Sequence, residues 1–246
     1  MVELVDTYDS GSYAKASEFE SRRGHQSSKE LTIKQEANIN PGSPVKTIEI
    51  VAGPNGSGKT TFGKVYLVGE MGRSVYLNPD LIGSGISPLD FEKASFHAGR
   101  VLIEEVKAMI IRGESFAFES TLSGKTWIAI LKEAIAQGYQ VTIYFLYLKS
   151  LKMNLQRIKR RVALGGHPIP KVAVYRRHPR CFNNFWNLYR PLCSDWYVFD
   201  NSEKKPKTIL NKTIFEKFDS EKQQQFIASF KDGLLRGKIR KVRADD

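Results

Sequence analysis

Cysteine is scarce in this chain: Cys181 and Cys193 are the only two in 246 residues. They read as two reduced, buried thiols of a cytosolic protein rather than as a disulfide framework. No apolar run approaches the roughly 20 residues that span a bilayer. The N-terminus lacks the apolar core of a signal peptide. Together these absences exclude a membrane protein and point to the cytoplasm. No internal repeat is visible, which removes the solenoid and propeller classes. Acidic residues are missing altogether between Glu133 and Asp195.

That last gap locates the charge. The chain carries a formal net charge of +12, which invites a nucleic-acid reading. Yet eleven lysines and arginines fall inside the acid-free gap and account for nearly all of it. A local basic cluster suits polyphosphate as well as it suits a duplex. The composition is otherwise that of a globular chain, 41% hydrophobic and 11% aromatic, long enough for one domain or a little more.

Residues 1–45 are rich in Ser, Glu, Lys and Gly without a sustained apolar period, and read as a disordered leader. Read back into codons, Val2 to Thr7 and Glu18 to Ser21 fit the D-arm and T-arm of a leucine tRNA gene. The expectation is that residues 1–30 are a start-site artefact. From Thr47 strands and helices alternate. Strands are expected at 47–52, 74–78, 115–119, 140–148 and 195–200, and helices at 59–70, 90–112, 126–137, 150–164 and 171–192. This pattern predicts an α/β protein with a mostly parallel five-stranded sheet. The stretch 140–148 is apolar on both faces and so central. Residues 203–246 read as a basic, loosely helical tail with a solvated face.

Gly53-Pro54-Asn55-Gly56-Ser57-Gly58-Lys59-Thr60 matches the phosphate-binding loop G-x-x-x-x-G-K-[ST] in full. It follows an expected strand and opens an expected helix, which is the confirming context. The glycines let successive N–H groups turn toward phosphate oxygens, and the helix N-terminus adds its positive end. Lys59 should neutralise the β- and γ-phosphates, and the Thr60 hydroxyl should hold Mg²⁺. Thr61 belongs to the same cradle. The expected ligand is ATP or GTP.

Asn78-Pro79-Asp80 lies at a strand end, on the side where open α/β sheets bind ligands. Phosphorylating a hydroxyl needs a carboxylate to align it and take its proton. Asp80 is the candidate; an N-cap or a ligand to an Mg²⁺-bound water are its alternatives. The segment 116–124 ends a strand in Glu119 and follows it with hydroxyls. A buried Glu there is costly unless paired or used. It could orient a substrate hydroxyl or hold an Mg²⁺ water, while Ser120, Thr121 and Ser123 either meet a polar substrate or cap the next helix. Arginine-bearing helices flank Gly165-Gly166, an arrangement that suits a lid spanning 157–177. Arg forks bind phosphate oxygens and stabilise transferring charge. Arg161 and Arg177 are the first pair expected in that role, Arg157 and Arg176 the second, with Lys159 and Arg180 on a solvated face. His167 reads as a loop-orienting or substrate-contact residue rather than a general base. No carboxylate follows a strand in a convincing Walker B arrangement, which favours small-molecule and nucleotide kinases over motors and switches.

In this order, Gly53 to Thr60, Asn78-Pro79-Asp80, Glu119 to Gly124, Arg161 to Pro170, Tyr175-Arg176-Arg177 and Asp200-Asn201-Ser202 resemble the zeta toxin family of P-loop kinases, in its shorter-chain branch. The resemblance runs from about Thr47 to Ser202. It implies a three-layer P-loop fold with the nucleoside-kinase strand order and a helical lid. It also implies a kinase that passes the γ-phosphoryl of ATP or GTP, with Mg²⁺, to the 3′-hydroxyl of UDP-N-acetylglucosamine or a related UDP-sugar. A separate antitoxin protein is the implied partner. By the same resemblance Asp80 is the base, Glu119 positions substrate, and Arg161 and Arg177 stabilise the phosphoryl group. A kinase of the same fold acting on a nucleoside, nucleotide or other sugar is the second reading. A nucleic-acid-binding P-loop protein is the third, and would show affinity falling steeply with salt.

Overall fold

The computed structural model describes residues 45–72, 75–86, 91–166 and 168–236. The leader up to residue 44, its tRNA-derived reading, the last ten residues and His167 lie outside the described residues.

Six strands form one sheet in the order β2-β3-β1-β4-β5-β6. They are β1 (Thr47–Ala52), β2 (Tyr76–Leu77), β3 (Phe116–Ser120), β4 (Gln140–Tyr147), β5 (Asp195–Asp200) and β6 (Lys207–Asn211). The first five run parallel, as strands joined by helical crossovers must. The five-stranded expectation is one strand short. β6 comes from the segment read as a helical tail and pairs antiparallel with β5, with a bulge between Val198 and Phe199. Lys207 at its start, close after Lys204 and Lys205, hid it, because an edge strand tolerates exposed charge.

The helices are α1 (Lys59–Phe62, continuing as a π-helix over Gly63–Glu70), α2 (Pro79–Ile86), α3 (Phe91–Arg112) and α4 (Thr126–Ala136). Then come α5 (Leu151–Ala163), α6 (Lys171–Asn184), α7 (Lys212–Glu216) and α8 (Ser220–Arg236). Beyond α6 the chain continues as a π-helix at Phe185–Tyr189 and a 3₁₀ turn at Arg190–Leu192. Among the described residues no helix is long and apolar enough to cross a membrane.

Alternation along the strands sets the layers. Ile48, Ile50 and Ala52 of β1 share one core with Phe116, Phe118, Val141, Ile143 and Phe145, under Val106 of α3, Leu131 of α4 and Phe182 of α6. The other face meets α1, where the Phe62 ring lies 5.0 Å from Phe199 and 6.0 Å from Tyr144. Strand β4 is buried on both faces, as its unbroken apolar run predicts. The C-terminal segment closes one side: Arg190 sits over the rings of Phe215 at 4.9 Å and Trp186 at 5.2 Å. Both cysteines are buried and unbonded, as expected, and burial pushes each thiol up to about 12.

Candidate active site

Register decides where the chemistry converges. Ala52 pairs with Ser120 and Val51 with Glu119, so the end of β3 lies beside the entry to the phosphate loop. Open parallel sheets place their ligand crevice at this carboxyl edge.

The loop folds as the glycine pattern requires, and the reason differs at each position. Gly53, at φ 139°, passes so close to β4 that a Cβ would lie 2.1 Å from the Leu146 carbonyl oxygen. Gly58, at φ 93°, faces Asn201, whose amide nitrogen would be 2.4 Å from a Cβ. Two asparagines hold the loop from outside: Asn154 donates to the Asn55 carbonyl at 2.9 Å, and Asn201 to that of Ser57 at 2.8 Å. Arg157 in turn donates to the Asn201 carbonyl at 2.8 Å. Inside the loop, the Asn55 Oδ1 and Ser57 Oγ are buried with no hydrogen-bond partner in the protein. The Lys59 ammonium donates to the carbonyls of Gly53 at 3.0 Å and Pro54 at 3.1 Å. Burial pushes its pKa down, against the pull of the Glu119 carboxylate. Such a cation, in a loop with unmet polar atoms and an uncapped helix start, fits a polyphosphate.

Next to the loop is a carboxylate network. Glu119 is 5% exposed. One of its oxygens accepts from the Tyr76 hydroxyl at 2.8 Å and the Asn78 amide at 2.6 Å. The other accepts from the Thr60 hydroxyl at 3.1 Å. Burial holds the Glu119 carboxyl above the usual carboxylate range, while Lys59 and the hydrogen bonds pull it back. This places a carboxylate on the strand beside β1, within hydrogen-bond reach of the loop threonine, a partnership that the sequence pattern did not reveal. Among the described residues no three His, Cys, Asp or Glu side chains converge on a metal position. The Thr60 hydroxyl and the Glu119 carboxylate lie side by side at the loop, and one hydroxyl with one carboxylate is a donor set that suits an ion keeping most of its waters.

Asn78 has a second task. Its Oδ1 accepts from the backbone N–H of Asp80 at 2.8 Å and of Leu81 at 3.2 Å, capping α2. The capping role considered for Asp80 thus belongs to Asn78, which leaves the Asp80 carboxylate free of it. Asp80 is 53% exposed and pairs with Arg161 at 3.5 Å across the cleft. A pair this wet adds little stability, so it can open for a ligand at small cost.

The cleft holds about 340 Å³ and is lined by Asn55, Gly56 and Gly58 to Thr61 of the loop, by Pro79, Asp80, Glu119, Ser120 and Thr121, and by Arg157, Ile158 and Arg161 of α5, while Gly53, Pro54 and Ser57 of the loop do not line it. This brings together most of the residues expected from sequence. Ser123 stands behind Thr121, the two hydroxyls 2.9 Å apart, and does not line the cleft. Arg176 and Arg177 of α6 do not line it either. Arg177 is half-buried near Cys181, and Arg176 is exposed. Sequence reading passed over Tyr76, Asn78, Asn154 and Asn201. Asn78 and Asn201 sit inside quoted motifs, but nothing in their spacing says which way a side-chain amide faces.

A family profile described as Zeta toxin matches residues 30–194. An uncharacterized protein of Haemophilus influenzae is 33% identical over 126 residues, which covers 51% of this chain and 88% of that one. Among solved structures, one from the characterization of the PezAT chromosomal toxin–antitoxin system of Streptococcus pneumoniae is similar at TM-score 0.53 and 14% identity. It covers 95% of this chain and 98% of its own. A putative kinase from Chloroflexus aurantiacus matches at 0.50 and 16%, covering 78% and 100%. AvrRxo1-ORF1:-ORF2 with ATP matches at 0.53 and 16%, covering 68% and 58%. At these identities the structural likenesses carry the fold alone.

Proposed function

The chain belongs to the zeta toxin family, and from that premise we propose that it is a kinase moving the γ-phosphoryl of ATP or GTP to a hydroxyl of a UDP-sugar, of the UDP-N-acetylglucosamine type. The observation that carries this reading is Asp80: a solvent-reachable carboxylate, relieved of capping by Asn78, in the same cleft as the phosphate loop.

In this reading the triphosphate lies on the loop N–H groups and Lys59 exchanges its two carbonyl partners for phosphate oxygens. Thr60 would hold Mg²⁺, with Glu119 beside it either holding one of the ion's waters or positioning the substrate, and the ion would neutralise charge on the phosphates. The acceptor hydroxyl binds between Asp80 and the Ser120–Thr121 edge. As its oxygen bonds to the γ-phosphorus, its proton passes to Asp80 and the bond to the β,γ-bridging oxygen breaks, releasing the nucleoside diphosphate. Arg161 leaves Asp80 for the transferring phosphoryl group. Closure of α5 and α6 about Gly165-Gly166 brings Arg177 to the same charge, with Arg157 and Arg176 in support and His167 at the acceptor. Transfer takes place in the cytoplasm, and a separate antitoxin protein restrains it. The ATP in one of the similar structures and the toxin–antitoxin system from which another comes support this reading.

The test is mass spectrometry of a metabolite panel incubated with the protein, Mg²⁺ and ATP or GTP. The expected product is UDP-N-acetylglucosamine carrying one added phosphoryl group, absent with Asp80→Asn. No product from the wild-type chain, or an equal yield from Asp80→Asn, refutes the proposal. In cells, expression of the chain alone should slow growth and Asp80→Asn should not.

A further inference from the structure

The loop after β3 carries a conformational oddity with a matching cause elsewhere in the fold. Leu122, at φ 52°, is the one non-glycine residue with positive φ among the described residues. A γ-branched apolar side chain gains nothing from that conformation, so something else must hold it. Its side chain is buried, which fixes one end. The carbonyls around it are fixed by two side chains some sixty residues away. The Asn184 amide donates to the carbonyl oxygens of Leu122 at 2.8 Å and Gly124 at 3.3 Å. The Tyr189 hydroxyl donates to the Gly124 oxygen at 2.7 Å.

Asn184 and Tyr189 are five residues apart. In an α-helix that separation points two side chains about 140° away from each other. Here the stretch between them, Phe185–Tyr189, is a π-helix, in which residues five apart stack on one side. The wider turn is what lets both donors reach one loop. It is also rigidly seated: Phe185 stacks on Phe145 of β4 at 4.4 Å, and Trp186 meets Trp196 of β5 at 5.7 Å. The loop so clamped presents Ser120 and Thr121 to the cleft, with Ser123 bracing Thr121 from behind.

We infer that Asn184 and Tyr189, brought together by the π-turn, are positioning residues that set the acceptor-side edge of the cleft at Ser120–Thr121. The inference rests on the kinase reading above, because it assigns this edge to the acceptor and not to the nucleotide. Neither residue touches a reacting group; both act through the backbone of 122–124.

The variants are Asn184→Asp, which keeps the shape and loses the donor, Asn184→Gln, which keeps a donor, and Tyr189→Phe, which loses one hydroxyl. Steady-state phosphorylation of UDP-N-acetylglucosamine is measured against ATP, with hydrogen exchange of the 120–125 amides in the full chain. The expected result for Asn184→Asp and Tyr189→Phe is an acceptor KM raised by about tenfold, with the KM for ATP within about twofold. Faster exchange should be confined to the loop. Asn184→Gln should recover part of the acceptor KM. Unchanged acceptor KM, or an equal rise in both KM values, overturns the assignment while leaving the kinase reading intact. A wild-type protein that phosphorylates no UDP-N-acetylglucosamine removes that acceptor and this assignment with it.

Discussion

Gly63→Ala is the substitution whose cost the structure fixes most tightly. Gly63 opens the π-helical part of α1, and a Cβ there would lie 2.0 Å from the Tyr76 hydroxyl oxygen, 2.1 Å from its Cζ and 2.6 Å from its Cε2. The clash is with the ring itself, and the ring is held in turn by the hydroxyl it donates to Glu119 at 2.8 Å. Moving it costs overpacking, about 1–3 kcal/mol. It also costs a hydrogen bond to a carboxylate, about 1.5–3 kcal/mol. The gain in helix propensity from Ala returns at most about 1 kcal/mol. The balance is a loss near 3 kcal/mol, which for a domain of this size lowers Tm by about 6–12 °C. A thermal melt of Gly63→Ala measures the total. The cause is isolated by repeating the substitution in a Tyr76→Ala background, where the Cβ has room and Ala should be neutral or slightly stabilising. Gly63→Ala melting at the wild-type temperature refutes the argument. So does an equal loss in both backgrounds, since the damage would then come from the helix and not from Tyr76.

Asp80→Asn should lower phosphoryl transfer by about 10²–10⁴-fold and leave nucleotide binding intact, read by single-turnover assay beside calorimetry with a non-hydrolysable ATP analogue. Lys59→Ala should abolish binding of that analogue, because the ammonium is the charge poised at the loop. Glu119 makes a pH prediction. Its folded-state pKa is raised, so its protonated form is favoured by folding, and the stability it contributes at low pH is lost as pH rises through that raised value. Glu119→Gln is neutral and can still accept from Tyr76 and Asn78, with its Nε2 donating to the Thr60 hydroxyl instead of accepting from it; it should therefore raise Tm at pH 8, flatten the decline in Tm that sets in as pH climbs past the ordinary carboxylate range, and abolish Mg²⁺-dependent nucleotide binding. A Tm at pH 8 equal to or below that of the wild type would count against the burial argument. Cys181 and Cys193 should be inert to thiol reagents at pH 8 in the folded protein and react only in denaturant.

The parallel part of the sheet was legible because its signals were redundant. Ile48, Ile50 and Val51 before a glycine loop, and the unbroken apolar run from Val141 to Leu148, can be little else than buried parallel strands. What escaped had weak or contrary local signals. β6 begins with lysine and packs against the core only through Ile209 and Leu210, so its pairing with β5 decides its state, and pairing is not a local property. The two π-helical stretches have the composition of α-helices. Their wider turns come from neighbours: Tyr76 pressed onto Gly63 in one case, and the aromatic seat of Phe185 and Trp186 in the other.

At the site, residue types were legible and partnerships were not. Sequence pattern singles out Lys59, Thr60, Asp80 and Glu119, and all four line one cleft. It does not find Asn78, whose one amide does three things at once: it donates to Glu119, approaches Thr60 at 3.3 Å and caps α2. Nor does it show Glu119 as the carboxylate beside the loop threonine. Glu119 is the penultimate residue of the strand Phe116–Ser120, where many strands meet solvent, and only the register of β3 on β1 turns it toward Thr60. The consequence is a division of labour between the two acids of the cleft. Glu119, buried and triply bonded, is fixed on the nucleotide side. Asp80, exposed and paired across the cleft with Arg161, is the more open of the two. In the kinase reading proposed above, a proton acceptor must meet a new partner in every cycle and a metal-side carboxylate must stay where it is, and the contrast in burial between these two residues is what those roles would require.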